Sequence, residues 1–287
     1  MTTPNQSHTP TSTPTPSPSS SAFAAVRAAG RRIRAMSRAE VRLLTRNTMA
    51  MVTALAMPAL LVVFTYATSD DAVGERMELG SFITVAMTGF VLLFVVYYNL
   101  VSSYVARREE LVLKRLRTSE ATDFEILAGT AVPALLIGMV QVILVAVASA
   151  ALLDLGVPVN PILVVVGVLG GAAVFVLLAA ASTAFTRTVE SAQVSTLPLV
   201  LVSMVLSGMM VPLDTYPDML GDAARLLPLT PVVELIQLGL EGTDGTAAAA
   251  DFTGTFSEAL APSAVLLVWI YLGVYAVRRW FRWEPRT

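Results

Sequence analysis

Residues 160–185 read NPILVVVGVLGGAAVFVLLAAASTAF, a run of 26 residues without one charged side chain. About 20 apolar residues are enough for a helix to cross the ~30 Å hydrocarbon core of a bilayer, so this run reads as a transmembrane helix. Working outward, further apolar runs lie at about 48–68, 81–104, 126–153, 193–212 and 260–281, the last charged only at its end by Arg278 and Arg279. Pro58, Pro133 and Pro198 fall inside three of them. There a proline frees a carbonyl that a neighbouring helix must satisfy again. The expected fold class is therefore an all-α polytopic membrane protein with six transmembrane helices. Composition agrees, with 55% of the 287 residues apolar and 14% charged. Soluble domains carry about 25% charged residues. The chain has no cysteine, and its single histidine is His8. Disulfides, thiolate metal sites, cysteine nucleophiles and histidine acid–base catalysis are all excluded, which argues against an intramembrane hydrolase.

The ends differ from the middle. Residues 1–22 set five prolines among Ser and Thr and offer almost nothing apolar to bury, so a disordered tail is expected. Residues 23–47 interleave Phe23, Val26, Ile33, Met36, Val41, Leu43 and Leu44 with Arg27, Arg31, Arg32, Arg34, Arg38, Arg42 and Arg46. Such a pattern suggests a basic amphipathic helix in the headgroup layer of an anionic leaflet, with a flexible juxtamembrane linker as the plainer reading.

Charge then sorts the loops. Those seven arginines fall on one side of a six-span topology. So do Arg107, Arg108, Lys114, Arg115 and Arg117 after span 2, Arg187 after span 4, and Arg278, Arg279, Arg282 and Arg286 at and beyond the end of span 6. They make up 17 of the 19 basic residues, and only Arg76 and Arg225 remain on the other side. Basic residues stay in the cytoplasm. Both termini are therefore expected there, including the short end 283–287, in a cell (inner or plasma) membrane.

Two connections carry more pattern than a linker needs. The first, RREELVLKRLRTSEATDFE at 107–125, is a charged stretch punctuated by leucines, with Glu110 and Lys114 at i,i+4 spacing. It suits docking on a soluble partner, or it is only a solvated loop that sets topology. The second, residues 207–242, suggests two short helices broken at Pro228 and Pro231, with Glu234 in the second. Neither half spans a bilayer alone. A re-entrant, extracellular helical hairpin between spans 5 and 6 satisfies the backbone if it is buried against protein, and an interfacial amphipathic hairpin is the alternative.

In this order and spacing, these segments resemble the ABC-2 type transporter permeases, the membrane subunits of daunorubicin-type drug exporters. The resemblance covers residues 38–282. It rests on the basic segment before span 1, on the Glu-containing, Leu-Arg-rich loop, and on Ser207-Gly208-Met209-Met210-Val211-Pro212 followed by Tyr216-Pro217 and Leu227-Pro228-Leu229-Thr230-Pro231. The chain departs from the family at Leu111-Val112-Leu113, where Gly-Thr-Leu is frequent, and at Glu120, where a proline is common. The resemblance implies that 23–47 is an elbow helix ahead of a six-span domain at 48–282. It also implies a dimer of this permease, or a pair with a related one, seated on two copies of an ATP-binding cassette ATPase. ATP and Mg2+ would then be bound by that subunit and no cofactor by this chain. The sequence agrees that the motor is elsewhere. A phosphate-cradling G-x-x-x-x-G-K-[ST] loop needs a Gly-Lys step, and the single lysine, Lys114, follows Leu113.

Candidate residues follow from these readings. Arg107, Arg108, Glu109, Glu110, Leu113, Arg115 and Leu116 are the expected ATPase-coupling set, because charge flanked by leucine combines oriented ion pairs with apolar contact. Ser207, Gly208, Pro212, Pro217, Pro228, Pro231 and Glu234 form the motif and hairpin set. Asn99, Gln141, Gln193 and Ser203 are polar groups inside spans and possible pathway residues, set against ordinary helix–helix hydrogen bonding. No metal site is expected. The transported molecule is expected to be hydrophobic or amphipathic and drug-like, with a lipid-linked glycan as an alternative. An ion-coupled secondary transporter would show inverted repeats around a midplane site, and a membrane scaffold is a third class. The sequence shows no repeat and no acid at mid-span.

Overall fold

The computed structural model describes Gly30 and residues 48–68, 73–109, 123–186, 188–243 and 249–281. The tail 1–22, the expected elbow apart from Gly30, residues 110–122 of the first patterned loop and the C-terminal end 282–287 lie outside them. Every regular element among the described residues is helical. In chain order they are α1 (Thr48–Thr68), α2 (Val73–Phe90, Val91–Tyr98 and Asn99–Glu109 without interruption) and α3 (Asp123–Leu152). There follow α4 (Pro161–Ser182), α5 (Val189–Leu206), α6 (Asp218–Arg225), α7 (Thr230–Glu241), α8 (Gly254–Glu258) and α9 (Leu260–Trp280). Five helices are long and apolar enough to cross a membrane: Met77–Glu109 of α2, Glu125–Leu152 of α3, α4, α5 and α9. The bent pair α6–α7 raises that to six if it is counted as one span. Helix α1 has 21 residues and coincides with the first expected span.

Buried side chains show how the helices assemble. In α2, 61% of the apolar stretch is buried, against 17–39% in the other four long helices, so α2 is the central post. Leu93, Val96, Tyr97, Leu100, Val101, Tyr104 and Val105 form its inner surface together with Phe175 and Val174 of α4. The outer helices turn one face away. On α3, Leu136, Val140, Ile143 and Val147 recur at helical spacing and are exposed, an apolar stripe that suits lipid and not water.

Two boundaries and one backbone form differ from the sequence expectation. Helix α2 runs on to Glu109, so Arg107 and Arg108 belong to its last turn and not to a loop. Within it, Val91–Tyr98 is π-helical, a wide-turned form that rarely exceeds a single turn. Helix α5 stops at Leu206 and not near 212, because Ser207 caps it and Gly208 takes a left-handed backbone at φ +78°. Hydropathy runs on through Met209, Met210 and Val211, so composition alone misses that stop.

The two ends of the bundle are distinct. At one end the Tyr104 hydroxyl donates to the Leu127 carbonyl at 2.9 Å, and its ring meets Phe281 edge-on with centroids 6.5 Å apart. The ends of α2 and α9 and the start of α3 are thus brought together. At the other end the Asn160 N–H donates to the Gly239 carbonyl at 2.9 Å, and its side-chain amide donates to the Thr255 hydroxyl at 2.9 Å.

Candidate functional site

The first group of candidates lies at the Tyr104 end. Arg107 is half-buried, Glu109 is exposed, and Arg108 between them is only 1% exposed. The Arg108 guanidinium donates to the Thr183 carbonyl at 2.7 Å and to the Thr186 carbonyl at 2.5 Å. These carbonyls follow the end of α4, where a helix leaves acceptors unsatisfied and its dipole favours a cation. Arg108 therefore points into the bundle and ties the end of α2 to the end of α4. Two residues beyond Thr186, Thr188 opens α5 with a reciprocal cap: its hydroxyl accepts from the Ser191 N–H at 3.2 Å, and its own N–H donates to the Ser191 hydroxyl at 2.9 Å. Glu110, Leu113, Arg115 and Leu116 lie outside the described residues.

The second group builds the bent pair. Each motif residue has a backbone task. Ser207 is the cap of α5, and its N–H donates to the Ser203 carbonyl at 3.1 Å. Gly208 reverses the chain, and Pro212 accepts from the Thr215 N–H at 3.1 Å to close a 3-10 turn. The Pro217 carbonyl accepts from the Leu220 and Gly221 N–H groups and starts α6. Pro228 is buried in the break, and Pro231 sits in the first turn of α7, where a missing N–H costs nothing. The Thr230 hydroxyl donates back to the Ala224 carbonyl at 2.6 Å. Helices α6 and α7 meet at 89°.

Helix α7 is apolar on nearly every side because nearly every side is covered. It runs antiparallel to α4, with Gly239 against Val164, Leu235 and Ile236 against Gly167, and Val232 against Gly171. A Cβ on Gly239 would lie 2.8 Å from the Val164 nitrogen and 2.9 Å from the Asn160 oxygen, so backbone meets backbone there. Val232 lies opposite a residue eleven positions into α4, about 16 Å along its axis at 1.5 Å per residue. The start of α7 is therefore deep in the bundle and its end is at the Asn160 surface. Glu234 lies in that depth and pairs with Arg225 at 2.9 Å, the carboxylate 8% and the guanidinium side chain 42% exposed. Trp269 of α9 donates from its indole N–H to the Leu226 carbonyl at 2.9 Å and holds the break from the other side.

The four polar candidates divide. Asn99 and Gln193 are exposed, and Gln141 and Ser203 are buried. The last two belong to α3 and α5, both of which touch the π-helical segment of α2. Gln141 follows Gly138, which packs on Val91 and Val96 of that segment, by one turn. Sequence reasoning missed Asn160, which caps α4 by accepting from the Ile162 and Leu163 N–H groups at 3.1 and 3.4 Å. An Asn-Pro step before an apolar run was the signal for it. Nothing local marked Trp269 as the partner of Leu226, or Tyr97 as sharing a 3.0 Å hydrogen bond with Ser182. Among the described residues no group of His, Asp or Glu side chains is arranged to hold a metal.

Residues 31–240 match the family described as ABC-2 type transporter. The chain belongs to that family. The match takes in most of the basic segment, the 107–125 segment, the motif after α5 and most of α7. Membership together with the apolar helices makes the chain a multi-pass membrane protein, and it implies a transport permease with an ATP-binding cassette ATPase as partner. No curated protein matches the chain.

Proposed function

We propose that this chain is the permease subunit of an ATP-driven exporter that moves a hydrophobic or amphipathic small molecule out of the cytoplasm. The motor is a separate ATPase, present in two copies, which binds the ATP and Mg2+, and the permease works as a pair of subunits. In this reading α1 is the first of six spans, both termini are cytoplasmic, residues 23–47 form the elbow, and α6–α7 re-enters from the outside. The observation that supports it best is the gathering of Arg107, Arg108, Arg278 and Arg279 at the Tyr104 end of a bundle whose other end carries the α6–α7 pair. That sorting of charge suits a cytoplasmic face that meets a motor. Gln141 and Ser203, buried beside the π-helical segment, are the pathway residues this arrangement favours.

Co-purification tests the reading. Membranes containing the chain with the ATPase expressed from the same source should yield a stable complex, and charge reversal of Glu109 and Glu110 together should release the ATPase while the permease remains. Substrate transport with no ATPase subunit present would overturn the reading in favour of an ion-coupled carrier.

A further inference from the structure

We propose that Arg108 is the positioning residue through which movement of the Glu109 end of α2 reaches α5, acting from inside the bundle and without touching the ATPase. This rests on the exporter reading above. Arg108 is followed at once by exposed Glu109 and the segment expected to dock. Its planar fork holds two carbonyls three residues apart, those of Thr183 and Thr186, a geometry an ammonium group cannot reproduce. Thr186 stands two residues ahead of the cap that begins α5. One side chain thus ties the last turn of α2 to the start of α5.

Helix α5 has little else to hold it. Among the described residues its extensive contacts are with the π-helical and final parts of α2. Ala192, Thr196, Val200 and Ser203 form its one buried stripe, and Val194, Leu197, Leu201, Val202 and Val205 are exposed, Val194 by 69%. A helix gripped at its base and along one stripe, among the described residues chiefly by α2, follows when α2 moves. The far end of α5 is Ser207-Gly208, which leads through the Pro212 turn into α6 and α7. The Tyr216 hydroxyl donates back to the Val205 carbonyl at 2.7 Å and keeps that turn on α5. Arg108, the α5 stripe and the Gly208 turn therefore form a continuous connection from the basic end to the bent pair.

The chain has no cysteine, so in a permease labelled before the ATPase is added, cysteines introduced at exposed Val194 and Leu272 are its sole sites for spin labels. Their separation is read in the full complex, without nucleotide and with ATP plus vanadate, for wild type, R108Q and R108K. The expected result is a nucleotide-dependent shift in wild type. R108Q should keep its ATPase and its resting distance but lose the shift, and R108K should regain part of it. A full shift in R108Q overturns the proposal. So does loss of the ATPase from R108Q, which would make Arg108 a docking residue, or an altered resting distance in both variants, which would make it a clamp alone. If R108Q does not accumulate, R108K decides: a reduced shift from an unchanged resting distance supports the proposal, and a full shift overturns it. A wild-type complex with no shift overturns the inference alone, whereas a wild type that retains no ATPase overturns the exporter reading with it.

Discussion

The junction between α4 and α5 and the seat of α7 are held together in opposite ways. At the junction, one buried guanidinium spans two carbonyls, and among the described residues the extensive contacts of α5 are with α2. At the seat, α7 is packed against α4, α2 and α9, glycines let helix backbones touch, and an ion pair, a threonine and a tryptophan close the break. Directional bonds from a single side chain can be broken and remade at low cost in packing. An interface of interdigitated side chains has few alternative arrangements. On this account α7 is the fixed seat of the bundle and α5 is the element that the proposal sets in motion.

Substitutions at the seat should break that contrast most strongly. R225M removes the cation that faces the buried Glu234 carboxylate at 2.9 Å. Losing one partner of a fully buried pair costs about 3–5 kcal/mol, and the exposure of Arg225 reduces this to about 2–3 kcal/mol. Thermal unfolding in detergent should show that loss, and the double variant R225M/E234M should recover most of it. Next, G239V pushes a branched side chain into the α4 backbone and should cost about 1–3 kcal/mol, the usual range for overpacking. Its melting temperature should fall well below that of G156A, where the nearest atom to the new Cβ is the Met77 sulfur at 3.8 Å.

Smaller effects sharpen the comparison. N160A removes the cap of α4 and its bond to Thr255, a loss of about 1 kcal/mol for the cap, readable as faster amide exchange at Ile162 and Leu163. W269F deletes one hydrogen bond to the Leu226 carbonyl and should cost about 0.6 kcal/mol, the average measured between membrane helices. The smallest effect lies outside the spans, at Asp251. The Gly254 N–H, followed by the Thr253 hydroxyl, holds its carboxyl below the ordinary value of 3.8. A depressed value stabilises the folded turn above the ordinary carboxylate range. The contribution fades as pH falls through the lowered folded value. Carboxyl chemical shifts of Asp251 should therefore titrate below those of a free aspartate, and D251N should remove the pH dependence of Gly254 amide exchange.

Much of the fold was legible because membrane spans announce themselves. Charge-free runs placed α1, α3, α4 and α9 within a few residues, and the bend between α6 and α7 was marked by Pro228 and Pro231. Hydropathy could not show that α5 stops at Leu206, since only the backbone of Gly208 ends it. Nor could it show the π-helical turn at Val91–Tyr98, whose residues are as apolar as any α-helical run. The candidate site was half legible. Sequence pattern picked out Arg108 as a residue that matters, but it did not show that its partners are carbonyls 75 and 78 residues away. Glu234 was marked by lying in an apolar helix. Its partner Arg225 was visible only as a basic residue on the wrong side for the topology. Gln141 and Ser203 could not be separated from Asn99 and Gln193 until burial divided them.

The account stands on the basic end being the face that meets a nucleotide-driven motor. Photo-crosslinking from single positions in native membranes tests this most directly, with one probe at exposed Glu109 and another at Met219, 89% exposed on α6. The account predicts that Glu109 captures an ATP-binding cassette subunit and that Met219 captures none. Capture of that subunit from Met219, with Glu109 silent, would contradict it.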